Sequence, residues 1–141
     1  MEKDYQGFSE ETRDWLGGWL SGGEEITSLP KIVLRECQDF MPQTDEQVIL
    51  YHAVQKNDNF DQENAYFKYD LPSSWTHDLE QARNFKIQTL PIISVKVGES
   101  NILIDTVELP RNYVRLTLGG WPDEREVILL EGVYRVKVVE V

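Results

Sequence analysis

Trp121-Pro122-Asp123-Glu124-Arg125-Glu126-Val127-Ile128-Leu129-Leu130 runs from a turn into an apolar strand, and two glutamates stand at the mouth of that strand. Side chains alternate along a strand, so Glu124 and Glu126 are expected on one side of it. Two carboxylates on one face repel each other, and one is pushed towards its protonated form unless a cation or a substrate sits between them. That placement is costly if it serves the fold alone. It suits chemistry at a cationic centre, where one carboxylate stabilises positive charge while the other takes a proton. The plainer alternative is that glutamates flanking a turn are common, with Arg125 between them as a neutralising charge.

Working outward, the strand belongs to a β-rich half. After Pro91, β-branched runs cover Ile92 to Val97, Ile102 to Val107, Glu126 to Leu130 and Val133 to Val141. Gly98-Glu99-Ser100-Asn101 and Glu131-Gly132 read as hairpin-like breaks. Upstream, Gln47 to Val54 is rich in β-formers and too short for a good helix, so it reads as a buried strand. Asn57 to Asp70 is polar with interleaved aromatics and reads as a loop or irregular excursion.

Helical signals lie elsewhere. From Ser9 to Leu20, Ser9 suits a cap, Glu10 and Glu11 suit the positive end of a helix, and Gly17-Gly18 weaken its last turn. A second helix is expected over Leu29 to Phe40, begun by Pro30 and closed by Pro42. A third covers His77 to Phe85, with Thr76 as N-cap, Asp78 and Glu80 in the first turn, and an apolar stripe of Leu79, Ala82 and Phe85. Helices early and strands late predict an α+β domain.

The 141 residues fit one domain, with a helical part over 1–42 and a β core over 48–141, and no internal repeat. The balance of 25 acidic against 14 basic residues gives a net charge of −11, which repels phosphate backbones and makes nucleic acid a poor partner. A dinucleotide needs only a local site, and a basic protein partner is favoured by the field. Cys37 is alone, so no disulfide forms within the chain, and it reads as a small core residue in a reducing compartment. The start, Met1-Glu2-Lys3-Asp4, has no secretory pattern, and no apolar run approaches a membrane span, so a cytoplasmic protein is expected with no membrane contact.

Other candidates are weaker alone. Gly17 to Gly23 looks like a helix stop and loop rather than a phosphate cradle, since no Lys-Ser or Lys-Thr pair follows. His52, inside an apolar strand, reads first as a hydrogen-bonded core residue, and His77 at a helix start reads as exposed. Two distant histidines and one cysteine have no metal-ligand spacing, so no metal is expected. No G-x-S-x-G elbow supports serine hydrolysis. Ser73-Ser74-Trp75-Thr76 after Pro72 holds more hydroxyls than capping alone needs.

Taken in order, these pieces resemble the ADP-ribosyltransferase family of bacterial exotoxins and phage enzymes. Leu50-Tyr51-His52-Ala53 is similar to the family's early-strand motif of an Arg or His after a Tyr. Ser74-Trp75-Thr76, followed by Ala82-Arg83-Asn84-Phe85, is similar to its second element, a Ser motif leading into a helix. Trp121, three residues before Glu124-Arg125-Glu126 and the apolar run, is similar to its aromatic substrate-recognition turn and Glu-x-Glu motif. The stretch from Ile104-Asp105 to Leu109-Pro110 looks like the strand between the second and third motifs. The likeness covers Val48 to Val141, with 1–42 as a reduced version of the family's helical region. His52 is typical of the diphtheria-like group, whereas Ser with Glu-x-Glu belongs to a clade that has Arg there, so the chain mixes two patterns.

The resemblance implies an ADP-ribosyltransferase-like fold, with short N-terminal helices before a mixed, split β-sheet core around an NAD cleft. It implies mono-ADP-ribosyl transfer from NAD, as substrate, to a protein side chain, with arginine favoured by Glu at the first acidic position. Glu126 would stabilise the oxocarbenium-like state, Glu124 would orient and deprotonate the acceptor, and Ser74 would brace Glu126. Tyr51, His52, Ser74, Trp75 and Thr76 would hold NAD, and Trp121 would meet the target protein. Transfer to water, as an NAD glycohydrolase, uses the same site. A module that kept the fold without transfer is the other reading, and a phage or bacterial effector inside a host cell fits the resemblance.

Overall fold

Ser9 starts the first helix through its own hydroxyl, which accepts from the backbone N–H of Thr12 at 3.3 Å. The computed structural model describes residues 7–22, 28–41, 44 and 46–141. Helix α1 (Glu10–Ser21) passes through Gly17 and Gly18, expected to weaken its end, and stops at Gly22, whose φ of 70° is left-handed. Gly17 has a packing reason. A Cβ there would lie 3.3 Å from the Leu118 carbonyl oxygen, so the bare backbone lets a distant segment close on the helix. Gly23 lies outside the described residues.

Helix α2 (Lys31–Phe40) begins one residue after Pro30, and Val33 and Cys37, one turn apart, are fully buried. Pro42, its expected stop, lies outside the described residues. Met41, in extended conformation, already ends the helix.

Nine strands follow among the described residues: β1 (Val48–Ala53), β2 (Asn59–Asp61), β3 (Tyr66–Tyr69), β4 (Ser73–Thr76), β5 (Ile92–Val97), β6 (Ile102–Asp105), β7 (Glu126–Leu129), β8 (Gly132–Arg135) and β9 (Lys137–Glu140). Helix α3 (Leu79–Asn84) lies between β4 and β5. Six strands form one sheet in the order β6-β7-β4-β1-β5-β9, and three form another in the order β2-β3-β8. The architecture is α+β. Every strand pairing among the described residues is antiparallel, not mixed as expected. Strand direction depends on where each connection returns the chain, which local sequence does not encode.

Several expectations need correction. Residues 57–70 are not an irregular excursion: β2 and β3 form a hairpin, and β3 buries Phe67 while Tyr66 and Lys68 face out. Its stabilising neighbour β8 comes only near the end of the chain, so nothing local announces it. The run 133–141 is two strands in two sheets. Between them Val136 is buried, and its N–H donates to the Ala65 carbonyl at 2.9 Å. Neither 98–101 nor 131–132 closes a hairpin. The first links strands that are not neighbours, and the second crosses from the large sheet to the small one. The strand expected to reach Val107 ends at Asp105, where a 3₁₀ turn over Thr106–Glu108 begins.

α1, α2 and both sheets share one core, which includes Leu16, Val33, Leu50, Phe67 and Ile128. α3 packs Ala82 against Ala53 and Ile92 in a smaller cluster on β1 and β5. No described helix is long and apolar enough to cross a membrane.

Candidate active site

Tyr51 pairs with Thr76, and Thr76 pairs with Glu126, so these three residues form a row across β1, β4 and β7. Residues directly opposite one another share a sheet face, and Ser74, two positions from Thr76, shares it too. This face, the end of α1, the edge of α3 and the 121–124 turn enclose a cavity of about 390 Å³. That is near the low end of the roughly 300–1,000 Å³ common for small-molecule sites. The sequence-derived residues Tyr51, His52, Ser74, Trp75, Thr76, Trp121, Glu124 and Glu126 all contribute to its wall.

Glu126 is the centre of the polar part. Its Oε2 accepts from Ser74 Oγ at 2.8 Å and from Trp19 Nε1 at 2.9 Å. Trp19 Nε1 also approaches Ser74 Oγ at 2.8 Å, closing a three-membered network. Both donors converge on Oε2, and no described residue donates to Oε1. Burial pushes the Glu126 carboxyl up to about 7; the Ser74 and Trp19 hydrogen bonds pull it down, and the Glu124 charge adds a push upward. A carboxyl poised there changes protonation near neutral pH, a setting suited to proton transfer and to meeting a cation. Burial also raises Glu124.

The glutamates share a cavity, but not by strand alternation. Only Glu126 is in β7. Glu124 ends a 3₁₀ turn over Pro122–Glu124, and Arg125 between them is left-handed at φ 49°. Two hydroxyls pin this kink: Thr76 Oγ1 donates to the Glu124 carbonyl, and Thr106 Oγ1 to the Glu126 carbonyl, each at 2.7 Å. Arg125, the expected neutralising charge, lines a separate groove with Arg111 and is not part of this cavity wall.

Gly120 sets how closely the turn meets α1. A Cβ there would lie 3.1 Å from Leu20 Cβ, so glycine lets the turn bearing Trp121 and Glu124 pack closely on Leu20 near the end of α1. Trp121 is 68% exposed at the mouth and Phe85 56%, so Phe85 is a rim residue and not the end of a buried stripe.

The Ser-Ser-Trp-Thr element divides its work by strand alternation. Ser73 Oγ accepts from the buried Trp75 indole at 2.8 Å, on the core side. Ser74 and Thr76 serve the cavity side. Thr76 does not cap α3. Asp78 does, its carboxylate accepting from Glu80 N–H at 2.9 Å, while Thr76 is the last residue of β4.

His52 is bonded within the protein on both ring nitrogens. Nδ1 meets the Ser74 carbonyl at 2.7 Å and Nε2 meets Asp58 Oδ2 at 2.7 Å. Its ring sits 5.0 Å from Trp75 and 5.2 Å from Phe67, at the junction of the two sheets. His77, expected to be exposed, is mostly covered and bonds Asp105 Oδ2 at 2.7 Å. Burial drives the Cys37 thiol up to about 12, in keeping with an inert core residue.

Trp19 was missed by sequence reasoning. Its signal was present: Trp15 and Trp19 lie one turn apart, so both indoles share a helix face. Their rings stack at 5.3 Å, and Trp15 Nε1 anchors to the Ser28 carbonyl at 2.9 Å. Asp58, which holds His52, was also missed, in the segment read as an excursion. Among known proteins, the chain matches no family model, no curated protein and no solved structure.

Proposed function

We propose that this chain is a mono-ADP-ribosyltransferase that cleaves the nicotinamide–ribose bond of NAD and moves ADP-ribose to a protein side chain, with arginine as the preferred acceptor. One observation carries the reading: Glu126, poised near neutrality, is held by Ser74 and Trp19 in a cavity it shares with Glu124. Bond cleavage builds positive charge on the ribose ring. Glu126 Oε1, which has no donor among the described residues, accepts from a ribose hydroxyl, and the carboxylate stabilises that charge. Ser74 and Trp19 act as positioning residues for it. Glu124 takes the proton of the attacking nucleophile, and a guanidinium lying between the two carboxylates relieves their repulsion. Trp121, exposed at the mouth, offers an aromatic face to a protein acceptor. The same site with water as nucleophile is an NAD glycohydrolase.

A second reading, a module of this fold without transfer, is favoured by His52, whose ring nitrogens are both engaged internally and offer nothing to a phosphate. Incubating wild type and Glu126→Gln with labelled NAD and cell lysate decides between them. Label on protein with wild type alone supports transfer. No label with either, and no NAD binding by calorimetry, overturns it.

A further inference from the structure

The cavity wall has an unusual chemistry for a dinucleotide site. Its aromatic side chains are Trp19 and Tyr51 inside and Phe85 and Trp121 at the rim. Its ionisable side chains are Glu124, Glu126 and His52, and none of the described residues that line it is a lysine or an arginine. His52 is committed to Ser74 and Asp58. The nearby arginines are occupied or turned away: Arg83 on α3 is paired with Glu80 and Glu140, and Arg125 lines the other groove.

Aromatic faces with carboxylates among them attract organic cations and repel phosphate. NAD carries both kinds of charge: a pyridinium at the nicotinamide and two anionic phosphates in the diphosphate. We infer that this cavity recognises the cationic nicotinamide riboside half alone, and that a phosphate on the donor weakens binding. The inference rests on the cleavage chemistry proposed above but not on ADP-ribose as the group moved, since a nicotinamide riboside donor transfers ribose. With nicotinamide riboside and water, an O–C1′ bond forms as the C1′–N bond breaks. The bonding pair stays on the nicotinamide nitrogen and neutralises it. The proton from water passes to Glu124 and on to solvent.

The test uses the full chain in calorimetry and in a nicotinamide-release assay, with nicotinamide riboside, nicotinamide mononucleotide and NAD at low salt. Nicotinamide riboside should bind at least about ten-fold more tightly than NAD, and more tightly than the mononucleotide, whose phosphate carries nearly two charges at neutral pH. Added salt should narrow the gap as the phosphate repulsion is screened. The N-methylnicotinamide cation should bind at least about ten-fold more tightly than neutral nicotinamide, a comparison that needs no turnover. Glu124→Gln should reduce that preference. Equal binding of the two nicotinamides, or NAD binding more tightly than nicotinamide riboside, overturns the inference even if NAD is cleaved. Preferential binding of nicotinamide riboside with no nicotinamide released from any donor upholds the inference and overturns the transferase.

Discussion

Two regions of this molecule carry the polar residues that its sequence singles out, and they use them in opposite ways. At the Glu126 end, two donors meet one carboxylate oxygen, the other oxygen has no donor among the described residues, and the carboxyl is raised to about 7. At the His52 end, ring nitrogens and carboxylate are matched partner for partner, with Asp58 also accepting from Gln55 N–H at 2.8 Å. The first arrangement holds unspent hydrogen-bonding capacity at a cost in stability. The second spends its capacity on joining β1, β4 and the segment before β2. A polar residue in a cleft is thus a candidate for chemistry only if something is left for a ligand to use.

The widest separation between the two regions should appear in activity. Glu126→Gln should lower nicotinamide release by about 10³-fold, as expected for loss of a carboxylate acting at the transition state. His52→Ala should leave most of the catalytic rate in the fraction that folds. Steady-state kinetics on both variants checks this, and a comparable loss of kcat in folded His52→Ala breaks the contrast.

Stability should run the other way at the Glu126 end. The folded state raises this carboxyl from an ordinary 4.5 to about 7, so it holds a proton that the unfolded chain releases between those values. That contribution is whole below about 4.5, and it is lost as pH rises through about 7. Glu126→Gln removes the dependence, so denaturant titrations should show it more stable than wild type by about 3 kcal/mol at pH 8 and by much less at pH 5. Equal gains at both pH values would sink the idea that an ionised Glu126 burdens the fold.

His52→Ala removes one partner from the Ser74 carbonyl and one from the Asp58 carboxylate, which keeps the Gln55 N–H. A loss of about 2 kcal/mol in unfolding free energy is expected, read from urea melts. A loss below about 0.5 kcal/mol would mean that water replaces the imidazole and the junction is not held by it.

The smallest effect sharpens the role of α1. Trp19→Phe keeps the stack on Trp15 and deletes the indole donor to Glu126. With one lowering contact gone, the carboxyl should rise further above 7, moving the lower limb of the pH–rate profile to higher pH. The rate at pH 7 should fall about ten-fold, equivalent to roughly 1.4 kcal/mol. An unmoved limb would mean that Ser74 alone sets Glu126.

Legibility followed the range of the interactions. Ser9 as a cap, Ile92 to Val97 as a strand and Cys37 as core were readable because capping, β-branching and burial tendency act over a few residues. The pairing of Ser74 with Glu126 was expected only through resemblance, yet the two side chains do meet. Thr76 was misassigned because a hydroxyl before a helix has two equally local uses, and the Glu124 carbonyl that claims it lies 48 residues away. Glu124 and Glu126 share the cavity through a left-handed Arg125, which the alternation rule does not foresee.

By itself, then, the sequence determined an α+β chain with helices first and the strand-forming runs, and it singled out the two glutamates. Tertiary structure decided which strands are neighbours, that β3 pairs with β8, and that His52 is spent on the sheet junction. It also brought Trp19, 107 residues from Glu126, onto the same oxygen as Ser74. The reason is physical: propensity and periodicity are set by adjacent residues. A carboxyl near neutrality is set by what excludes water from it and what donates to it, and those groups arrive only when distant parts of the chain close together.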